Sequence, residues 1–295
     1  MNEKLVYDLG VYIMKIGFCM LLWTTALEAK HKALLADIKA TGYDGVDVPI
    51  FSGTPDDYRT IGIMLDELGL DRTGISVVPT IDINPLSEDK SVRQAAIEYL
   101  KWCVDCTAAV GADTIGGPLH QTLGHFSGSG TTDAEFDRAR EVHAIVGDHA
   151  QENGIVIALE AVNRFETYFA NTMDDLCSYS RSLDHPSIKT MYDTFHANIE
   201  EKDPVDAFIR NSKDVVHVHI SENDRGVPGR GHVPWADTFK AIKSSGYDRW
   251  LTIEAFGRGL PELAAATRVW RDFAESPEAY YRDGYNCIRN GWDAA

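Results

Sequence analysis

The sequence has few basic residues and no long apolar runs, and each absence excludes a class of protein. Its 295 residues include 28 Lys and Arg against 45 Asp and Glu, which gives a formal net charge of −17 at pH 7. Such an acidic surface repels phosphate backbones, so we expect no nucleic-acid partner. No segment approaches the roughly 20 consecutive apolar residues of a membrane helix, and the start of the chain lacks a secretory-signal pattern. We therefore expect no membrane partner either.

Cysteine is scarce as well, and its five positions are scattered along the chain. An odd, dispersed set in an acidic chain is typical of proteins in the reducing cytoplasm, where disulfides are rare. Cys103 and Cys106 form a CxxC pair, but no second pair completes a zinc site. The pair lies inside a helical pattern rather than at a strand-to-helix turn, so we predict that both side chains face the core.

Linkers rich in Pro or Ser are absent, which predicts a single domain. Short apolar runs alternate with longer amphipathic stretches eight times, from a first strand at Lys15–Leu21 to an eighth at Trp250–Glu254. The predicted elements include a helix over Pro55–Leu68 that ends at Gly69, a third strand at Thr73–Val78, and a last helix that begins near Pro261. This alternation predicts an α/β fold, a single (β/α)8 TIM barrel over residues 14–295. A doubly wound open sheet is the alternative. It would require a Gly-rich turn after the first strand, and Leu21–Thr25 supplies none.

The two ends of the chain carry separate expectations. Met14 begins a sequence that runs directly into the first strand. We therefore interpret residues 1–13 as an N-terminal extension, either non-native or the product of an alternative start. The C-terminal segment Ser276–Ala295 contains three Tyr and one Trp, more aromatic residues than a free tail carries. We expect this helical segment to pack on the barrel or on another subunit.

Four predicted strands deliver a potential metal ligand at the carboxyl end, where barrels of parallel strands build active sites. These residues are Glu160, Asp193, His219 and Glu254. A buried charge is costly unless it is paired or bound to a metal. This mostly oxygen donor set predicts one divalent metal ion, Mn²⁺ or Mg²⁺ with Co²⁺ tolerated, rather than structural zinc.

The same residues predict epimerisation. Four protein ligands leave two positions on the ion for a carbonyl and a neighbouring hydroxyl, so the metal would polarise the carbonyl and stabilise an enediolate. Glu160 and Glu254 come from strands nearly opposite in an eight-strand ring. One carboxylate can remove a proton from one face of the substrate carbon, and the other can return a proton to the opposite face.

The other histidines receive structural interpretations. We interpret His217 as directed away from His219 by strand alternation. Four further histidines fall in helices or at helix ends and are predicted to be solvated: His31, His143, His149 and His185.

Longer motifs around the predicted ligands resemble the ketose 3-epimerase family, the group of D-tagatose 3-epimerase and D-psicose (allulose) 3-epimerase. Three segments resemble its LE-x-x-NRFE, DTFHMNIEE and H-x-H-x-GE-x-NR motifs, namely residues 159–166, 193–201 and 217–225. Within them Ala197 replaces Met, Ser221 replaces Gly, and Asp224 replaces Asn.

The resemblance implies a xylose-isomerase-like barrel that acts as a carbohydrate 3-epimerase. It implies a divalent metal on Glu160, Asp193, His219 and Glu254, with Glu160 and Glu254 as the acid/base pair. It also implies substrate contacts from Glu166, His196 and Arg225, and Trp23 falls where an aromatic residue of the first loop is expected. A homodimer or homotetramer is favoured by the same resemblance.

The first half of the chain departs from the family pattern. Strand two carries Asp47 rather than the family's Glu, and the loop Gly117–Phe126 has His120 and His125 in place of aromatic residues that flank the substrate. The resemblance therefore predicts the reaction of this chain better than it predicts the substrate. The acidic surface and the lack of a phosphate-binding glycine nest favour a free ketose such as D-tagatose, D-fructose, D-allulose or L-ribulose.

Three other functions stay open from the residues. The same metal site could isomerise an aldose or an inosose, or cleave a 3-oxo-glycoside with His120 or His125 as an additional acid. A metal-dependent endonuclease would need more His ligands and a basic groove. A non-enzymatic sugar-binding barrel would have no use for two opposed carboxylates on a metal.

Overall fold

The computed structural model describes residues 14–295, so the interpretation of residues 1–13 lies outside the described residues. Eight parallel strands form a closed barrel in chain order, with β8 paired to β1, which confirms the predicted (β/α)8 fold. The strands are β1 (Lys15–Cys19), β2 (Gly45–Pro49), β3 (Asp71–Ile75), β4 (Thr114–Gly117), β5 (Val156–Glu160), β6 (Ile188–Asp193), β7 (Val215–Ile220) and β8 (Trp250–Ile253).

Helices surround the barrel and connect its strands. They are α1 (Lys32–Thr41), α2 (Pro55–Leu68), α3 (Lys90–Val110), α4 (Asp133–Glu152), α5 (Met173–Leu183), α6 (Thr194–Glu200), α7 (Pro204–Asn211), α8 (Trp235–Ser244), α9 (Pro261–Ala266) and α10 (Pro277–Ala294). No helix within residues 14–295 is both long and apolar enough to cross a membrane.

Local chemistry sets the clearest helix boundaries. Thr54 caps α2 by accepting the backbone N–H of Asp57, and Pro55 occupies the first turn, where it loses no helical hydrogen bond. Gly69 ends the helix in the left-handed conformation, with φ +64°. The predicted bounds of this helix are therefore the observed ones.

Several boundaries differ from the prediction, and the first strand, for example, ends at Cys19 rather than at Leu21. The third strand, predicted at Thr73–Val78, begins at Asp71, which pairs with Gly45 of β2. Its predicted end leaves the sheet, because Val78 instead bridges Thr122 in the loop after β4. The single helix expected from Pro261 is two helices, α9 and α10.

The C-terminal helix α10 packs on the barrel, as expected. Tyr280, Tyr281 and Ile288 are buried, and the backbone carbonyl of Tyr281 accepts the hydroxyl of Tyr43 at 2.7 Å. Cys103 and Cys106 are also buried, which confirms that both face the core.

The prediction that His143 is solvated is wrong. It is 1% exposed on the inner face of α4. Its Nδ1 lies 2.5 Å from the hydroxyl of Tyr179, and its Nε2 lies 3.2 Å from the carbonyl oxygen of Leu119. The imidazole is therefore a satisfied polar group between the helix and its neighbours.

Candidate active site

The carboxyl ends of β5, β6, β7 and β8 bring the four predicted metal ligands together. One donor atom from each of Glu160, Asp193, His219 and Glu254 lies within 4.8 Å of the others. All four side chains are buried. Asp193 and His219 are paired across β6 and β7, so the sheet register itself places these two ligands side by side.

The two ring nitrogens of His219 have different surroundings. Nε2 lies 2.9 Å from Oδ2 of Asp47. Nδ1 faces the cluster, 3.4 Å from Oε2 of Glu254, 3.8 Å from Asp193 and 3.9 Å from Oε1 of Glu160.

Two atoms of this cluster lack hydrogen-bond partners. Within the described chain, Nδ1 of His219 and Oε1 of Glu160 are buried and unpaired. Buried polar atoms are almost always satisfied in native proteins, so each such atom requires an explanation. Each atom carries a lone pair that can coordinate a divalent cation, and the surrounding carboxylates supply further oxygen ligands. The residues therefore fit a divalent metal ion.

The carboxylates stand in different electrostatic states. Burial, followed by the charges of Glu254 and Asp193, raises the pKa of Glu160 well above its ordinary value. Burial acts in the same direction on Asp193, but the Arg225 guanidinium and two imidazoles hold its pKa well below the ordinary value. Of these two carboxylates, Glu160 thus accepts a proton more readily than Asp193, and a cation in the cluster would relieve the repulsion that raises the pKa of Glu160.

Arg225 connects the cluster to the cavity beside it. Its Nη1 donates to Asp193 at 2.8 Å and to Glu254 at 2.6 Å, and its Nη2 lies 2.9 Å from Nε2 of His196. Burial and the nearby guanidinium lower the pKa of His196 to about 3, so this imidazole is neutral. Glu166 accepts the side-chain amide of Asn163 at 2.8 Å, and burial raises its pKa.

A cavity of about 430 Å³ opens beside these residues. Its polar end is formed by Glu160, Glu166, His196, Arg225 and Glu254. Most of the remaining wall is apolar, with Leu21, Phe51, Pro118, Phe256 and Leu263 among its residues. Among the lining residues of the described chain, Arg225 is the only Lys or Arg.

Trp23 is not brought to this cavity. Its half-buried ring packs on Phe18, with 4.9 Å between ring centroids, and on Tyr281, with 6.0 Å. Leu21, two residues earlier, lines the cavity instead.

The two histidines of the strand-four loop do not line the cavity. His120 is buried, stacks on Phe169 with ring centroids 5.1 Å apart, and places Nε2 2.8 Å from the backbone carbonyl oxygen of Glu160. Burial lowers its pKa to about 4, which leaves it neutral. His125 is half-buried, and its carbonyl accepts the amide of Gln121 at 3.0 Å. Neither position supplies an acid directed at the cavity.

The prediction that His217 points away from His219 is wrong. Residues two apart on a strand share one face, and both imidazoles lie against the same carboxylate oxygen of Asp47. Asp47 is the residue of the site to which the sequence interpretation gave no role. The signal was present, because an Asp inside the apolar strand Gly45–Pro49 requires a buried partner.

Comparisons with known proteins agree with this geometry. The sequence profile described as "Xylose isomerase-like TIM barrel" matches residues 35–290. A probable ketose 3-epimerase of Synechocystis sp. is 28% identical over 276 residues, 94% of this chain and 96% of the relative. The ketose 3-epimerase of Arthrobacter globiformis is 30% identical over 287 residues, 94% and 98% of the two chains. The solved D-psicose 3-epimerase of Clostridium cellulolyticum H10 with D-tagatose matches at TM-score 0.84 and 26% identity, over 95% of this chain and 99% of that chain.

Proposed function

Because this chain belongs to the ketose 3-epimerase family of xylose isomerase-like TIM barrels, we propose that it inverts free ketoses at C3 with one divalent metal ion. The three sequence motifs predicted membership in this family, and the comparisons confirm that prediction. One observation carries the proposed reaction: Glu160 and Glu254 reach the same cavity from β5 and β8, with donor oxygens within 4.8 Å of each other.

The ion would be held by the four clustered side chains, Glu160, Asp193, His219 and Glu254. Their three carboxylates and single imidazole favour Mn²⁺, with Mg²⁺ or Co²⁺ as substitutes. When bound, such an ion acts as a Lewis acid that polarises a substrate carbonyl.

Glu160 and Glu254 move the proton. One carboxylate removes a proton from C3, which breaks the C3–H bond and leaves its electron pair in the sugar as an enediolate. The other residue starts as the protonated carboxylic acid and delivers its proton to the opposite face, which forms a new C3–H bond with inverted configuration and leaves a carboxylate. The reverse reaction exchanges the two roles, and exchange with water returns both carboxyl groups to their initial protonation states.

The remaining polar residues orient the sugar. Arg225 fixes Glu254 through a direct hydrogen bond and presents its charge at the cavity wall. His196, held neutral, and the half-buried Glu166 offer hydrogen bonds to hydroxyl groups beside the reacting carbon. Among the cavity residues within the described range 14–295, Arg225 is the only Lys or Arg, and it is already engaged by two carboxylates, which suits an unphosphorylated sugar. We further propose a homodimer or homotetramer in the cytoplasm.

Proton NMR in D₂O tests the proposal. The chain is stripped of metal, loaded with Mg²⁺, and incubated with D-tagatose, D-fructose, D-allulose and L-ribulose. We expect the C3 proton signal to disappear while the C3 epimer accumulates. Exchange at C1 would identify an aldose–ketose isomerase instead, and no exchange with any of the four sugars would contradict the proposal.

Two variants check the acid/base assignment. Glu160→Gln and Glu254→Gln should each lower turnover by at least about 1,000-fold, because a carboxamide cannot accept the proton. Glu88→Gln, which changes an exposed glutamate, is the matched control and should retain full activity. Near-normal epimerisation by either Glu160→Gln or Glu254→Gln would contradict the proposed mechanism.

A further inference from the structure

Asp47 lies at the centre of a buried hydrogen-bond network inside the barrel. It is 1% exposed, and each of its oxygens has two partners. Oδ1 accepts the hydroxyls of Thr73 and Thr252, the latter at 3.4 Å. Oδ2 lies 3.3 Å from Nε2 of His217 and 2.9 Å from Nε2 of His219.

This contact determines which nitrogen of His219 is available as a ligand. A carboxylate only accepts hydrogen bonds, so a close Nε2 carries a hydrogen directed at Asp47. In a neutral imidazole the lone pair is then on Nδ1, the atom that faces Glu160, Asp193 and Glu254. Loss of the carboxylate would allow the hydrogen to move to Nδ1, where it would occupy the position a cation requires.

We propose that Asp47 is a positioning residue that fixes the tautomer and the orientation of His219 for metal binding. The inference rests on the proposed metal site and adds a role for a carboxylate that touches neither the cavity nor the clustered carboxylates. His217 donates to the same oxygen and limits rotation of the Asp47 side chain. A carboxylate behind a metal-bound imidazole also raises the basicity of the ligand.

A second metal ion is the competing interpretation of these residues. Asp47, His217 and His219 each offer a donor atom within reach of one ion. Both oxygens of Asp47 are already satisfied by hydrogen bonds, however, whereas the unpaired Nδ1 of His219 faces the other cluster. The network therefore favours one ion per chain, and metal stoichiometry distinguishes the two interpretations.

Calorimetric titration of the metal-stripped full chain with Mn²⁺ tests the proposal. Asp47→Asn has nearly the same shape, but its amide can donate to Nε2 and thereby favour the Nδ1–H tautomer. We expect this variant to bind Mn²⁺ about 10–100-fold more weakly, with an unchanged circular dichroism spectrum. Thr252→Val removes the 3.4 Å hydrogen bond to Oδ1 of Asp47 but leaves the contact between Oδ2 and Nε2 of His219, and it should bind Mn²⁺ as the wild type does.

A measurement on the wild type covers the case in which Asp47→Asn does not fold. In the Mg²⁺-loaded chain labelled with ¹⁵N-histidine, His219 should show a hydrogen on Nε2 and none on Nδ1. A hydrogen on Nδ1, unchanged Mn²⁺ affinity in Asp47→Asn, or two bound ions per wild-type chain would each overturn the inference. Failure of the wild type to bind any divalent ion would instead overturn the proposed metal dependence.

Discussion

The guanidinium of Arg225 is held against Glu254, with 2.6 Å between Nη1 and Oε2. Its Cζ lies over two aromatic rings, 3.9 Å from the centroid of Phe195 and 5.0 Å from that of Phe256. The backbone of Arg225 adopts φ +64°, an unusual conformation for a residue with a side chain. The protein thus maintains a locally unfavourable backbone to place one cation beside a proposed acid/base residue.

Arg225→Lys should lower kcat by at least about 100-fold, because a single ammonium cannot reproduce the planar contacts to Glu254, Asp193 and His196. Steady-state epimerisation assays measure the effect. The control is Arg230→Lys on the same loop, whose exposed ion pairs with Glu275 and Asp283 contribute little. Activity of Arg225→Lys within about twofold of the wild type would contradict the role given to the planar guanidinium.

Glu222 organises the loop that carries Arg225. Its carboxylate is 1% exposed and accepts four N–H groups. Oε2 accepts from Gly229 and from the indole of Trp235, both at 2.9 Å, and Oε1 accepts from Asn223 at 3.0 Å and Val233 at 3.2 Å. A single side chain therefore holds together both ends of this segment.

Glu222→Gln should destabilise the fold by about 2–4 kcal/mol, because one oxygen is replaced by an amide that faces N–H donors. Urea unfolding measures the loss. We also expect kcat to fall, since Arg225 shares the loop, while Glu278→Gln at the exposed start of α10 should change neither quantity. A variant with wild-type stability would show that the four contacts are not needed to hold the loop.

Metal removal should lower the melting temperature. An ion that binds only the folded chain adds about 2.7 kcal/mol at a concentration one hundred times its Kd. Thermal unfolding with EDTA and with excess MnCl₂ should therefore give well separated transitions for the wild type and for Glu88→Gln. His219→Gln should have the same melting temperature in both buffers. Equal melting temperatures for the wild type would contradict a folded-state metal site.

The sequence predicts those parts of the fold that depend on local periodicity and short-range chemistry. The bounds of α2 follow from Thr54, Pro55 and Gly69, all within the segment itself. The ligand positions follow from polar residues at the ends of apolar strands. Helix α6 was not predicted, because Asp193 ends β6 and also caps the helix that follows at once.

Contacts between distant segments could not be predicted in the same way. Asp47 meets His217 and His219 only because the barrel closes, which joins positions about 170 residues apart in the sequence. Trp23 illustrates the opposite case, since its place in the first loop suggested a substrate contact while its ring packs on α10. The local sequence pattern shows which residue type stands at such a position but does not predict which distant residue it contacts.

His143 makes the stability of the fold depend on pH. Burial lowers its pKa to about 4, against about 6.5 in an unfolded chain. Between these values the unfolded chain binds a proton that the folded chain does not. Stability conferred by the neutral imidazole is therefore present above about pH 6.5 and is lost as the pH falls toward 4. The full loss amounts to about 3 kcal/mol.

Urea unfolding between pH 7 and pH 4, in EDTA to remove metal linkage, measures this effect. His143→Gln removes the titrating group, so its unfolding free energy should fall less steeply with decreasing pH than that of the wild type. At pH 5 the difference in slope should correspond to the uptake of about one proton on unfolding. His232→Gln, at an exposed position, should retain the wild-type slope. Equal slopes for His143→Gln and the wild type would mean that this imidazole accepts its proton without unfolding, through a change in its contacts with Tyr179 and Leu119.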